Sequence, residues 1–462
     1  MGQGAAHRQL LRPGELAVRQ APESLHLRTL WGRIITYAAR GVYDSAQAIG
    51  QAHVMAGKST TQQTYKILMI APTSFFSDYG CSVRILEEAK ILQARGNELT
   101  ICTYRNGKDI PGLTIRRTPS IPFREHYEVG SSPHKIGFDL LLFWTVLFSA
   151  LRQRPDVIHA HMHEGAFIGL VVGRLLRIPL VFDFQGSLTG EMLDHQFLHQ
   201  SSVFYRPLRW LERTIDLKSP AILTSSLNAK QVLVEEFGCH PGQVHTVPDC
   251  VNAEGFYPPS GDEQATLAER KSYLGIAAER RVIVYLGLLA DYQGTDALLQ
   301  AAVHLVQRRG DVHFLIMGFP AVDQYQQKAV QLGVADHVTF TGKIPYQEAR
   351  DFLAVGDLAV APKLSVTEGS GKILNYMAMG LPTVAFDVPV SREYLGELGI
   401  YATPADPLSL SQALHDGLFA DEHRSTGRSL RQIAKDRYSW DRAADTILQA
   451  YRIVCQRKQA VL

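Results

Sequence analysis

The sequence predicts an α/β protein made of two doubly wound parallel-sheet units with a cleft between them. Three observations carry this. From Lys66 onward, apolar runs of four to six residues alternate with helical stretches, the pattern of strands buried on both faces of a parallel sheet. The alternation pauses in the turn-rich stretch 247–258 (VPDCVNAEGFYP) and then resumes. A chain of 462 residues is also too long for one small domain.

Taken in order, residues 67–71 read as a strand, followed by a loop with Gly80, a helix to about Arg95 and a strand over 99–104. Strands over 157–160, 180–184 and 221–225 come next, with a helix over 166–176. The second set has strands over 282–286, 312–317, 338–340, 358–361 and 383–386. Its helices fall after Gly294, around 327–332, over 346–355 and after Gly371. Residues 440–454 form an amphipathic helix. In open sheets of this kind, ligands sit at the carboxyl ends of the strands.

Composition narrows the function. Net charge is only +2, so the total points away from nucleic acid as a partner. The five cysteines are scattered without a C-x-x-C pair, which suggests a reducing compartment and no zinc site. The first residues are polar and no cleavable signal peptide is expected. Residues 136–151 (IGFDLLLFWTVLFSAL) are the most apolar stretch, but they are short for a membrane span and interrupted by Asp139. They read as a buried helix ahead of a strand, with an interfacial membrane helix as the other reading.

Residues 1–64 stand apart, with seven Lys or Arg against three acids. A helix over 27–46 would put Leu30, Trp31, Ile34, Ile35, Ala38 and Val42 on one side, with Arg28, Arg33 and Arg40 elsewhere. Such a helix suits peripheral contact with an anionic membrane; packing on the host domain and a disordered leader are the alternatives.

The most informative stretch runs from Thr367 to Asp387 (TEGSGKILNYMAMGLPTVAFD). A polar, glycine-rich loop enters an apolar helix, whose first turn offers unpaired N–H groups and the positive end of a dipole. Gly369 and Gly371 allow close approach to the backbone, and Lys372 adds a cation. An anion, most plausibly phosphate, fits such a place; an ordinary αβ unit with a loose loop is the bland reading.

The order of these features resembles glycosyltransferase family 4. The resembling pieces are the glycine loop with Gly80, Arg154-Pro-Asp-Val-Ile-His-Ala-His161 (family "PDVVHAH"), and Pro248-Asp-Cys-Val-Asn-Ala-Glu-Gly-Phe-Tyr-Pro258 (family "PNGVDTERFxP"). Leu286-Gly-Leu-Leu-Ala-Asp-Tyr-Gln-Gly294 matches "GRLxxEKG", Leu315-Ile-Met-Gly318 fits a nucleotide-domain strand, and Tyr438-Ser-Trp440 matches "YSW". The resemblance implies the GT-B architecture, two facing Rossmann-like domains with an interdomain cleft. It implies an acceptor domain over 65–247, completed by a helix over 438–458 that crosses back, and a nucleotide-sugar domain over 248–437. It also implies a retaining, metal-independent transfer from a nucleotide diphosphate sugar to a glycan or lipid-linked acceptor, in the cytoplasm or at the inner face of the membrane, with no cofactor.

Five matching positions depart from the family. Its Arg is Leu288, its Lys is Gln293, its two glutamates fall on Thr367 and Asn375, and its acceptor-domain His is Gln185. Two diphosphate-binding cations are thereby lost, each worth about 1.5–3 kcal/mol. Lys372, Lys363 and the N–H groups of Ser370, Gly371, Lys372 and Ile373 are the expected substitutes. Gln293 offers a neutral hydrogen bond and Asn375 an amide for ribose hydroxyls. Gly80, Gly287, Gly294 and Gly318 are placed near phosphate or the acceptor. Gln185, Asp183, His161 and Glu368 are the candidates beside the reacting sugar; His163 shares the strand end with His161, and no third metal ligand is evident. The competing readings are a catalytically silent scaffold or regulatory subunit, and a donor with a single phosphate.

Overall fold

In β1 (Lys66–Ala71) every residue after Lys66 is buried, as a strand with a neighbour on each side requires. This computed structural model describes residues 63–78, 80–120, 135–194, 198–365 and 368–461, and Thr64–Leu462 form one compact unit. The expectations for the extension over 1–62, and for Thr367, lie outside the described residues.

From β1 the chain runs through α1 (Gly80–Ala94) to β2 (Glu98–Thr103) and β3 (Thr114–Arg117). Then come α2 (Lys135–Gln153), β4 (Val157–His161), α3 (Met162–Leu176) and β5 (Leu180–Phe184). Next are α4 (Leu188–Asp194), α5 (Tyr205–Lys218), β6 (Ile222–Thr224), α6 (Leu227–Glu235) and β7 (Val244–Thr246). The strands are parallel, in the order β3-β2-β1-β4-β5-β6-β7.

The second sheet begins after α7 (Gln264–Tyr273) with β8 (Arg281–Leu288), α8 (Thr295–Arg308), β9 (Val312–Phe319), α9 (Val322–Gln331) and β10 (Val338–Phe340). It continues through α10 (Ala349–Leu353), β11 (Leu358–Ala361), α11 (Gly371–Ala378), β12 (Thr383–Phe386), α12 (Pro389–Leu395) and β13 (Ile400–Ala402). Its order is β10-β9-β8-β11-β12-β13, again all parallel. The helices α13 (Pro407–Phe419), α14 (Asp421–Arg437) and α15 (Trp440–Val461) end the chain.

Strand order reverses between β1 and β4 in one sheet and between β8 and β11 in the other. Loops leaving the carboxyl ends of these strands diverge there and leave a crevice in each sheet. Both crevices open on one cleft. The α/β architecture of two facing doubly wound sheets is as the sequence predicts. The strands it misses, β3, β7 and β13, are all sheet edges of three or four residues, too short for a legible apolar run.

Helix ends follow local chemistry. Ser226 caps α6 by accepting from the Ala229 amide, 3.0 Å. Glu393 of α12 accepts from the Leu227 amide of α6, at 2.9 and 3.1 Å. The terminal α15 lies on the first sheet, with Ile447, Tyr451 and Val454 in the same core as Ile67, Met69 and Val181. Tyr451 Oη is 2.7 Å from His159 Nδ1, both buried.

The reading of residues 136–151 as a buried helix is corrected. They form α2, and Phe138, Leu142, Val146 and Ala150 are buried, but Leu140, Trp144, Phe148 and Leu151 are exposed. The sheet covers only one side of the helix, so the second apolar stripe is left outside.

Tyr451→Phe is expected to lower folding stability by about 1 kcal/mol, because it strips one hydrogen bond from a buried imidazole. Urea unfolding followed by circular dichroism measures it.

Candidate active site

The cleft has a volume of about 950 Å³ and is lined from both sheets. On its second-sheet side, α11 enters from the loop after β11. Ser370 is its N-cap, and the buried Ser370 Oγ has no hydrogen-bond partner. The Lys372 ammonium donates to Gln293 Oε1 at 2.8 Å and to Tyr285 Oη at 3.3 Å, and lies 4.5 Å from the Tyr285 ring centroid. Burial, with the like charge of Lys363 adding to it, pulls its pKa down to about 7. Gly287 makes room for this lysine: a Cβ there would sit 2.5 Å from Nζ. Gly318 is paired with Gly287 in register, and a Cβ on it would meet Gly287 O at 2.4 Å. The floor of the cleft is bare because these two strand ends carry no side chains.

Several expected site residues take other work. Gly294 does not line the cleft; its φ is +76°, and a Cβ would fall 1.9 Å from Pro362 O, so packing of two loops demands the glycine. Ile373 is fully buried in the core, and its amide already donates to Ser370 O at 2.9 Å. The amides of Gly371 and Lys372 are what the first turn offers. Lys363 is held by Glu368 at 2.5 Å and donates to Gly369 O at 2.8 Å, which compensates its charge. Gly369 is glycine because the Asp249 carboxylate, 2.3 Å from where a Cβ would stand, occupies that space. Asn375 lines the cleft from α11. Gly80 begins α1 and faces open space there.

On the first-sheet side, His161, Asp183 and Gln185 come together at the ends of β4 and β5. Gln185 Nε2 donates to Asp183 Oδ2 at 2.9 Å, and His161 Nδ1 lies 2.9 Å from the same oxygen. Only Gln185 of the three lines the cleft; His161 and Asp183 are wholly buried behind it. His163 also lines the cleft, with its Nε2 3.3 Å from Asp216 Oδ1. Burial works against its charged form, but Asp216, Glu212 and Glu164 outweigh that and raise it to about 9.

Arg84 organises this side, and sequence reasoning missed it. Its Nε and Nη2 donate to the two oxygens of Asp183 at 3.0 and 2.8 Å. Its Nη1 donates to Asp249 Oδ1 at 3.1 Å and its Nη2 to Val247 O at 3.1 Å; Glu88 Oε1 is 3.1 Å from Nε. Burial alone would raise Asp183, but Arg84 and His161 hold its carboxyl far below the usual range. Burial, together with the charge of Asp183, pushes the Glu88 carboxyl well above that range. Glu88, His159, His161 and Asp183 place potential ligand atoms within 4.8 Å of one another, so the structure supplies the acidic neighbours that sequence reasoning did not find. The guanidinium already supplies positive charge at that spot. The legible signal was Arg84 and Glu88 at i, i+4 amid Val83, Ile85, Leu86 and Ala89, charges on the apolar side of a helix. Lys343 also lines the cleft, 4.9 Å above the Phe319 ring centroid.

Two family models match the chain in this order: Glycosyltransferase Family 4 over residues 80–254 and Glycosyl transferases group 1 over 280–418, together more than half of it. The chain belongs to glycosyltransferase family 4. It is a glycosyltransferase of GT-B fold. A D-inositol 3-phosphate glycosyltransferase of Xylanimonas cellulosilytica is 25% identical over 401 residues, covering 82% of this chain and 93% of that protein. Sucrose-phosphate synthase from Thermosynechococcus elongatus superposes with a TM-score of 0.70 at 16% identity, covering 86% of this chain and 100% of the other. Anabaena HepE in complex with UDP and glucose superposes at 0.68 and 16% identity, covering 84% and 99%. Among the described residues, no helix is long and apolar enough to cross a membrane.

Arg84→Leu is expected to destabilise this glycosyltransferase by about 3–5 kcal/mol, since it leaves buried carboxylates without their cation. Chemical denaturation at neutral pH measures the loss.

Proposed function

We propose that this glycosyltransferase takes its sugar from a nucleotide diphosphate sugar and passes it, with retained anomeric configuration and without a metal, to a glycan or lipid-linked acceptor. The observation that carries the reading is Lys372. Its ammonium sits beside a helix start with unspent amides and an unpartnered Ser370 Oγ, over a floor bared by Gly287 and Gly318. When the bond from the anomeric carbon to the phosphate oxygen breaks, the electron pair stays on the diphosphate. Fixed dipoles and a cation at that position stabilise the charge as it develops. The resemblance to HepE in complex with UDP and glucose is consistent with such a donor.

The remaining roles follow from placement. Asn375, next to Lys372 along the cleft, is assigned to the donor ribose, and Glu368 to sugar hydroxyls. Gln185 spends one Nε2 N–H on Asp183, which leaves its amide oxygen and its other N–H to offer the reacting sugar. Asp183 and His161 act through Gln185, as orienting groups behind the cleft wall.

Titration calorimetry with UDP and with GDP tests the reading. One of them is expected to bind at micromolar concentration, and Lys372→Ala to weaken it by about 10- to 150-fold, the worth of one charge-assisted hydrogen bond. Absence of binding by any nucleoside diphosphate would support the silent scaffold instead.

The same lysine sets a pH dependence. It is half-protonated near pH 7 when the cleft is empty, and a bound diphosphate favours its charged form. Binding therefore takes up a proton above about pH 7, and affinity is expected to fall by up to ~tenfold per pH unit from there to the higher pKa of the complex. Calorimetry in buffers of different ionisation enthalpy, from about pH 7 to about pH 9, reads the proton uptake; Lys372→Ala abolishes it.

A further inference from the structure

The outer faces of α2, α3 and α5 carry a surface that neither the cleft nor the core uses. The three helices lie side by side, α3 touching α2 on one side and α5 on the other, and their inner faces share one core under the sheet. Outward, α2 shows Leu140, Trp144, Phe148 and Leu151; α3 shows Phe167, Val171 and Leu175; α5 shows Trp210 and Leu217. Val203 and Phe204, just before α5, extend the patch at 81% and 67% exposure. Trp144 and Phe148 stack on each other, 6.0 Å between ring centroids. Soluble monomers rarely leave so wide an apolar area in water.

The charges on this face have one sign. Arg152, Arg174, Arg206, Arg213 and Lys218 are exposed on the three helices. The acids on these helices face elsewhere: Glu212 and Asp216 are buried, Asp139 accepts from Tyr104 Oη at 2.5 Å, and Glu164 is half-buried beside the cleft. Every exposed residue on the described parts of α2, α3 and α5 is therefore apolar, cationic, glycine or proline.

We propose that this face docks on the surface of an anionic lipid bilayer. Exposed aromatic and aliphatic side chains enter the headgroup boundary, and the arginines and lysine at the rim meet lipid phosphates. Charge selects this occupant. A second copy of the chain would set cations against cations, and residues 1–64, with seven basic residues against three acids, carry the same sign as the face. A bilayer of opposite charge suits both. Phe138 of α2 and His163 of α3 reach the cleft, so the docked face runs from the cleft rim outward.

The full chain is tested by flotation with phosphatidylglycerol/phosphatidylcholine vesicles and with pure phosphatidylcholine vesicles. Wild type is expected to float with the anionic vesicles and to be released by salt. The pair Trp144→Glu with Phe148→Glu, and separately Arg174→Glu with Arg206→Glu, are expected to weaken partitioning by ~tenfold or more. Thermal melting and nucleotide binding stay at wild-type values, because these side chains lie outside the core and the cleft; this separates failure here from failure of the donor reading. Lack of wild-type binding to anionic vesicles overturns the proposal. So does undiminished binding by both variants, or a wild-type dimer in light scattering that the Trp144→Glu, Phe148→Glu variant dissociates.

Discussion

One buried guanidinium ties the cleft together. Arg84 leaves α1 and is shared between Asp183 at the end of β5 and Val247 and Asp249 in the segment that follows β7. Asp249 in turn fills the space beside Gly369, at the mouth of α11. Three distant stretches of chain thus depend on one cation that desolvation would expel were its partners absent. Bidentate geometry to Asp183 gives the arrangement direction as well as charge. Asp183, held ionised, then aims Gln185 at the cleft.

The two walls of the cleft differ in electrostatic character. The first-sheet wall is a closed network whose charges are spent on one another. The second-sheet wall keeps its polarity available: an ammonium that burial keeps close to neutrality, a hydroxyl without a partner, and a helix start. Binding energy for an anion concentrates on that wall, while the facing wall orients. A transferase needs this division, since the leaving diphosphate demands charge and the sugar demands position.

The Lys363–Glu368 pair shows how the same residue types are split between tasks. Lys363 closes the loop before α11 by holding Glu368 and Gly369 O, whereas Lys372, nine positions on, has only neutral partners. Neutral contacts leave a buried cation undercompensated, which is the condition for it to favour an incoming anion.

Apolar runs, their spacing and the turn-rich stretch 247–258 made two parallel-sheet halves legible, because strands buried on both faces must be written in continuous hydrophobic residues. The glycine-rich entry to α11 was equally legible, and so was Lys372, since short-range geometry alone makes that helix start attractive to anions. Edge strands β3, β7 and β13 were not, for three or four residues are too few to show a pattern. Nor could linear order tell that Gly294 and Gly369 are there for Pro362 and Asp249, that Lys363 is spent on Glu368, or that Arg84 sits beneath Asp183. Most of those facts join distant residues, as does the bond between Arg84 and Asp249, 165 positions apart. Whether a buried charge is a ligand contact or an internal strut depends on which partner folding brings to it, and that is settled only when the sheets close.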